Sequence, residues 1–314
     1  MKIVVTGAAG FIGSNLCMEL LKNPSVQIIG VDAYIGPTTK KQKDENIQLL
    51  LKHPRFTFKQ TSILDVNWEP ILKGTDYIYH LAGIPGVRSS WGAEFHQYVK
   101  HNITATQRLL EACKSVHLKK FIYSSTSSVY GEKEGKVSEK SIPEPLSPYG
   151  ITKLTGEHLC HVYRESFNIP TVILRYFTVY GPKQRSDMAF HRFIKSMLDD
   201  EFITIYGDGH QTRDFTYISD CVQATTAVKE AKNVIGETIN IGGKERSSVL
   251  EVITILEELL EKKAKVNFIS QAIGEPKHTW ADISKAEKLL DYTPSTQLKT
   301  GLENEILYIK ELYQ

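Results

Sequence analysis

Cysteine is scarce: four of 314 residues (Cys17, Cys113, Cys160 and Cys221), with no C-x-x-C pair among them. That excludes a disulfide framework and offers no zinc-ligand spacing. An excess of one charge is missing too, since 38 Lys plus Arg against 36 Asp plus Glu leave a net +2. A nucleic-acid binder would concentrate basic charge on one domain, so no nucleic-acid partner is expected. No apolar run approaches the roughly 18 residues of a membrane span. The chain opens on a strand-like stretch, Lys2-Ile3-Val4-Val5-Thr6, where a leader would carry a charged region, an apolar stretch and a cleavage site. A cytoplasmic location without a membrane partner is the expectation. His158 and His161 lie three apart on a helical stretch with no third ligand evident, so no metal is expected.

What is present has globular character, with 41% hydrophobic residues and a length of roughly two modal domains. Strand-like segments at 2–6, 27–32, 56–59, 76–81, 119–124 and 171–175 alternate with helical ones near 11–22, 94–116 and 149–167. Several strands are continuous apolar runs, such as Ile28-Ile29-Gly30-Val31 and Phe121-Ile122-Tyr123. That pattern predicts an α/β fold whose parallel sheet is covered on both faces. After residue 176 the texture changes to frequent Gly and Pro, short strands, and helices near 188–199, 247–262 and 301–313, as in a smaller α/β C-terminal lobe.

Gly7-Ala8-Ala9-Gly10-Phe11-Ile12-Gly13 follows the first strand and opens the first helix. Small residues let a pyrophosphate approach the backbone, and the helix N-terminus supplies free N–H donors. Asp32 stands nineteen residues past Gly13, at the end of the second strand, where a carboxylate accepts from ribose hydroxyls. It would repel a 2′-phosphate, so NAD is expected in preference to NADP.

Tyr149 and Lys153 are four apart, which stacks them on one helix face. A free phenol with a pKa of about 10 is a poor base at neutral pH. A nearby ammonium, with the positive ring of oxidised NAD, would draw that pKa down and make the tyrosine a base for a substrate hydroxyl. Upstream, Ser124-Ser125-Thr126-Ser127-Ser128 puts five hydroxyls at the carboxyl end of a strand, facing the crevice where such sheets bind ligands.

The glycine pattern, the Ser124–Gly131 segment, Tyr149-x-x-x-Lys153 and Arg175-Tyr176-Phe177-Thr178-Val179-Tyr180-Gly181-Pro182 together resemble the extended short-chain dehydrogenase/reductase superfamily, and within it the nucleotide-sugar epimerase and dehydratase branch. The resemblance covers essentially the whole chain. It implies a Rossmann-type doubly wound domain for NAD over 1–175 with parts of 213–242. A nucleotide-sugar lobe would take 176–212 and 243–314. It makes Thr126, Tyr149 and Lys153 catalytic. Gly7, Gly10, Phe11, Ile12, Gly13, Asp32, Leu81, Ala82, Gly83, Asn102, Ser124 and Tyr176 would join Tyr149 and Lys153 around the cofactor. Ser62 and Ile63 stand where the family often carries an adenine-binding Asp. Relatives pair as homodimers through the helices near 94–116 and 149–167; Leu109, Leu110, Leu159 and Val162 are apolar positions compatible with that pairing and equally with an intramolecular core.

The same resemblance narrows the reaction. Dehydratases and decarboxylases carry carboxylates just after the Thr126 position; here Ser127 and Ser128 stand there, which implies re-reduction of a 4-ketone and inversion at carbon 4 of a UDP-sugar. Thr178, the Gln184–Ala189 stretch and Gly86-Val87-Arg88 resemble the uronic-acid 4-epimerases. UDP-glucuronate to UDP-galacturonate is therefore the expected conversion. UDP-glucose or UDP-N-acetylglucosamine epimerisation, or UDP-glucuronate decarboxylation, are the alternatives. Thr126, Ser127, Ser128, Tyr149 and Thr178 would meet the sugar. Arg213 would meet the diphosphate, Tyr206 the uracil and Glu275 the uridine ribose. Arg88 and Arg185 are further candidates for diphosphate or carboxylate, Arg185 replacing a second phosphate arginine that Ala272 lacks. His191 is placed near the nucleotide, and Asp282 as a helix cap.

Overall fold

The structure, a computed structural model, describes residues 1–313. Twelve strands run in chain order as β1 (Lys2–Thr6), β2 (Gln27–Asp32), β3 (Phe56–Gln60), β4 (Tyr77–His80), β5 (Lys120–Thr126), β6 (Thr171–Tyr176), β7 (Val179–Tyr180), β8 (Phe202–Tyr206), β9 (Thr212–Tyr217), β10 (Thr238–Ile241), β11 (Glu245–Ser248) and β12 (Lys265–Ile269). Seven of them form one sheet in the order β10-β6-β5-β4-β1-β2-β3, every pair parallel. The chain lays down β1, β2 and β3 in one direction and then returns to place β4 on the other side of β1. That reversal opens a crevice beyond the carboxyl ends of the strands.

The apolar runs explain the layering. Alternate residues face opposite sides, so Ile3, Val5, Ile28, Tyr79, Ile122, Val172 and Leu174 pack with Leu16 and Leu20 of the helix Phe11–Leu21 and with Ile218 and Val222 of the helix Ile218–Ala227. Val4, Val31, Ile78, Phe121, Tyr123 and Ile173 pack on the other face against Leu109, Leu110, Cys160 and Tyr163. Leu109 and Leu110 are therefore committed to the intramolecular core, the second of the two roles open to them from the sequence.

A second, smaller core gathers Phe190, Phe193 and Ile194 of the helix Ala189–Leu198, Val252 and Leu256 of the helix Val249–Leu260, and Leu302 and Ile306 of the helix Leu298–Tyr313. It carries a three-stranded sheet, β11-β9-β7, and a two-stranded parallel pair, β12-β8. Among the described residues no helix is long and apolar enough to cross a membrane.

Two departures from the sequence reading bear on the site. The stretch expected as one helix near 94–116 is instead a short 3-10 turn at Gly92–Glu94, α-helix at Phe95–Tyr98, a π segment at Val99–Thr104 and α-helix again at Ala105–Ala112. A helix at Lys40–Leu51 also stands where none was expected. Its inward face carries Gln42, Lys43 and Asn46 beside Ile47 and Leu50, so it lacks an apolar stripe to read.

The helix Pro148–Phe167 packs against Tyr123 of β5 at Gly156. A Cβ there would lie 2.0 Å from the Tyr123 hydroxyl oxygen. Gly156→Ala is expected to cost about 1–3 kcal/mol by overpacking, seen as a lower midpoint in urea unfolding, and removing the hydroxyl with Tyr123→Phe should restore part of it. An unchanged midpoint would refute the close approach.

Candidate active site

The crevice has a volume of about 680 Å³ and runs from the glycine turn to the small lobe. Gly7 adopts φ +73°, and a Cβ on Gly13 would stand 2.1 Å from the Gly7 carbonyl oxygen. Only glycine fits either position. Gly10 caps the helix Phe11–Leu21 without any side-chain bond, which leaves the first-turn N–H groups open to an anion. Gly7, Gly10, Phe11, Ile12 and Gly13 all line the crevice, as do Ser62 and Ile63. The Ser62 hydroxyl also accepts from the Leu64 N–H at 3.1 Å.

Asp32 is buried, and its oxygens are already engaged. Oδ2 accepts from the Ala9 N–H at 3.1 Å; Oδ1 accepts from the Tyr34 N–H at 2.7 Å and from the Lys43 ammonium at 2.8 Å. The sequence reading treated this carboxylate as a bare negative charge. The Lys43 ion pair corrects that picture.

Leu81, Ala82 and Gly83 line the crevice above a buried hydroxyl–imidazole relay. The Ala82 N–H donates to Thr6 Oγ1 at 3.2 Å; Thr6 meets His80 Nδ1 at 2.8 Å, and His80 Nε2 meets Thr106 Oγ1 at 2.9 Å. Burial, aided by the charge of Lys153, pushes the His80 pKa down to about 3, so the imidazole is neutral. Asn102 stands behind the lining. Carried on the π segment, its Oδ1 accepts from the Ile84 N–H at 2.7 Å, while Nδ2 donates to the Ile84 carbonyl and to Thr152 at 3.0 Å each. It braces the turn that follows β4, whereas the sequence reading had it facing the cofactor.

Ser147 caps the long helix through the Gly150 N–H at 3.1 Å, with Pro148 in the first turn. That places Tyr149 at the crevice wall, with the edge of Tyr98 against its ring at 6.3 Å between centroids. One turn on, Lys153 is buried, and desolvation draws its pKa down to about 8 against the opposing pull of Cys160 and Glu157. Its ammonium lies 4.2 Å from the Tyr123 ring centroid. Burial holds the Tyr149 phenol above its ordinary pKa, and the charge of Arg185 and the Thr126 hydroxyl pull the other way. Within the protein alone, then, Arg185 and Thr126 favour the phenolate, and the drop expected from Lys153 is not present.

Two turns along the same face, Glu157 was missed by the sequence reading although Tyr149, Lys153 and Glu157 repeat every four residues. Its carboxylate takes a bidentate pair from Arg175, at 2.9 and 2.6 Å, and a hydrogen bond from the Ser125 hydroxyl. All three residues are buried. They tie the ends of β5 and β6 to the helix that bears Tyr149, with Ser124 and Thr126 on either side of the knot and Tyr176 just beyond it.

On the sugar side, Ser127, Ser128 and Thr178 line the crevice with Thr126. Arg185 is clasped by Asp187 through two bonds of 2.9 and 3.0 Å. Arg213 and Arg88 share Glu275: Arg88 Nε donates to Oε1 at 2.6 Å and Arg213 donates to Oε2 at 3.3 Å. The Arg88 guanidinium also stacks on Tyr206, 3.8 Å from the ring centroid. The cation that joins Arg213 is therefore Arg88, while Arg185 stands apart with Asp187. Lys43 and Arg192 line the crevice as well, and neither was anticipated.

His191 does not line the crevice; its ring meets the Tyr313 hydroxyl at 3.0 Å. Asp282 accepts from the Ser284 N–H at 3.0 Å at the start of the helix Ser284–Leu290. His158 and His161 are exposed, and among the described residues no cluster could hold a metal.

A glycine-lined cleft at the switch point of a parallel sheet, with a tyrosine and a lysine one turn apart on its wall, is the site of a dinucleotide-binding enzyme. Residues 3–242 match the NAD dependent epimerase/dehydratase family, and the chain belongs to it. The UDP-glucuronic acid 4-epimerase from Bacillus cereus, solved in complex with UDP-glucuronic acid and NAD, is 60% identical, with a TM-score of 0.99 over 100% of both chains. YtcB of Bacillus subtilis (strain 168), described as an uncharacterized UDP-glucose epimerase, is 59% identical over 100% of this chain and 99% of its own. The UDP-glucuronate 4-epimerase of Thermodesulfobacterium geofontis (strain OPF15) is 39% identical, covering 98% and 96%. The cofactor of this family is NAD, and the two glycines that admit no Cβ together with the uncapped helix terminus fit its pyrophosphate.

Because the folded chain keeps His80 neutral down to about pH 3, the unfolded chain binds one more proton between about 6.5 and 3. Stability should fall as pH drops through that window, by one proton's contribution to the slope. His80→Asn should remove that contribution; urea midpoints measured from pH 7 to 4.5 check it, and an unaltered slope would show the imidazole to be protonated in the fold.

Proposed function

We infer that the chain inverts carbon 4 of UDP-glucuronate to give UDP-galacturonate through a 4-keto intermediate. One observation carries the choice of reaction. Each carboxylate lining the crevice is already paired with a cation: Asp32 with Lys43, Asp187 with Arg185, and Glu275 with Arg88 and Arg213. None is left to drive elimination, so a ketone formed at carbon 4 is reduced again.

NAD, when bound, supplies the oxidation by accepting a hydride from carbon 4 and returning it. Thr126 orients the 4-hydroxyl, and Tyr149 takes its proton during oxidation and gives it back on the opposite face. The Lys153 ammonium holds the cofactor side of the site, while Arg185 and the Thr126 hydroxyl favour the phenolate. Arg213 grips the diphosphate, with Arg88 beside it and Tyr206 under the base. Ser127, Ser128 and Thr178 offer hydroxyls to the uronate. Neutral donors bind a carboxylate less tightly than a fixed guanidinium would, and so permit the sugar to turn. They must also keep its carboxylate bond out of line with the keto group, since that alignment releases carbon dioxide.

The reading extends to the architecture. Residues 1–175 with parts of 213–242 bind the dinucleotide, and 176–212 with 243–314 bind the nucleotide sugar. The helix Ile218–Ala227 packs on the large sheet and β10 is its outer strand, which supports the first range; Ala286 and Leu290 of the helix Ser284–Leu290 pack into the same core, so that part of 243–314 sides with the dinucleotide domain. Exposed Ile151 and Val162 on the long helix support a homodimer through that face, and a monomer mass by light scattering would remove this part. Four buried free thiols suit a reducing cytoplasm.

Incubation with UDP-glucuronate should give UDP-galacturonate, followed by proton NMR at carbon 4. Pentose formation as the main outcome would overturn the epimerase reading. Tyr149→Phe should lose a factor of about 10²–10⁴ in turnover while the purified variant still carries NAD.

A further inference from the structure

Asp32 and Lys43 form the most enclosed ion pair on the crevice wall, their side chains 5% and 6% exposed. Besides Asp32, the Lys43 ammonium donates to the Ile35 carbonyl at 3.1 Å. An ammonium has three donors, so one remains for the crevice. Asp32 keeps two backbone N–H donors, from Ala9 and Tyr34, whether or not the lysine is there. The pair sits at the end of β2, where a dinucleotide fold meets the adenosine ribose.

A lone carboxylate at this point rejects a 2′-phosphate by charge. Here the two charges cancel, so the discrimination comes from somewhere finer. A ribose 2′-hydroxyl can donate to Asp32, whereas a 2′-phosphate, ionised at neutral pH, has only acceptors to offer and meets a lysine whose charge the carboxylate already balances. We propose that Lys43 is the second determinant of selectivity at the cofactor's 2′ position, a phosphate ligand held in reserve by Asp32. Removing the carboxylate frees a buried ammonium that a phosphate dianion would neutralise. Removing the ammonium leaves an uncompensated carboxylate and sharpens the preference for the 2′-hydroxyl.

The inference deepens the NAD reading of this cleft and needs no sugar, so its failure leaves the epimerase reading standing. The test uses the full chain, incubated to exchange equilibrium with equimolar NAD and NADP, desalted, denatured and analysed by chromatography for the dinucleotide released. Asp32→Ser should lower the NAD to NADP ratio at least tenfold, and adding Lys43→Met to it should recover most of that change. Lys43→Met alone, which leaves Asp32 on its backbone donors, should raise the ratio severalfold even if the serine variant fails to fold. An equal ratio in Asp32→Ser with and without the lysine, or an unaltered ratio in Lys43→Met, would overturn the proposal. Wild-type protein that retains neither dinucleotide would instead overturn the cofactor reading itself.

Discussion

The active-site wall depends on one buried ion pair. Glu157 and Arg175 meet in a bidentate pair inside the fold, and the Ser125 hydroxyl completes the carboxylate. Breaking such a pair by removing one partner leaves an unmatched charge and typically costs about 3–5 kcal/mol, so its three parents, β5, β6 and the long helix, are held in one relation. Arg175 also lies 4.6 Å from the Tyr130 ring centroid; Tyr130 donates to Asn240 of β10, and Asn240 Nδ2 donates to the Val137 and Asp282 carbonyls. The same knot thus aligns the hydroxyl loop with Tyr149 and reaches the outer strand of the sheet.

The crevice is strongly charged yet locally balanced. Its acidic groups are all tied to cations, which leaves Lys153, Arg192 and part of each shared guanidinium to meet an anionic ligand. Arg185, Arg192 and Arg213 lie on the small-lobe side, with Arg88 joined to Arg213 through Glu275, while the hydroxyls gather near Tyr149 and Lys153. The proposed reaction would use the two regions differently, the guanidinium groups for the diphosphate and the neutral hydroxyls for a sugar ring that must rotate.

Much of this was legible in the sequence, for definite reasons. Parallel strands buried on both faces write themselves as apolar runs, and Gly7, Gly13, Asp32, Tyr149 and Lys153 carry their meaning in local spacing. The helix Lys40–Leu51 did not show because its buried face is polar: Gln42 donates to the Gln184 carbonyl and Asn46 to the Ala9 carbonyl. The pairing of Arg88 with Glu275 joins residues 187 positions apart and leaves no trace in either segment. Asn102 was read as a cofactor-lining residue from the family resemblance, and the π segment that turns it toward Ile84 has no periodicity of its own to say otherwise.

That π segment has a consequence for how the chain tolerates change. A wide turn holds one residue more than an α-turn, and each residue rotates a helix by roughly 100°. Deleting any single residue between 99 and 104 would leave a smooth, better-bonded helix. It would also swing Tyr98 away from Ser89 and the Pro85 and Gly86 carbonyls that its hydroxyl now holds. Local regularity and the alignment of the crevice wall are here in direct opposition, so a shortened chain could fold more tidily and still lose its workplace.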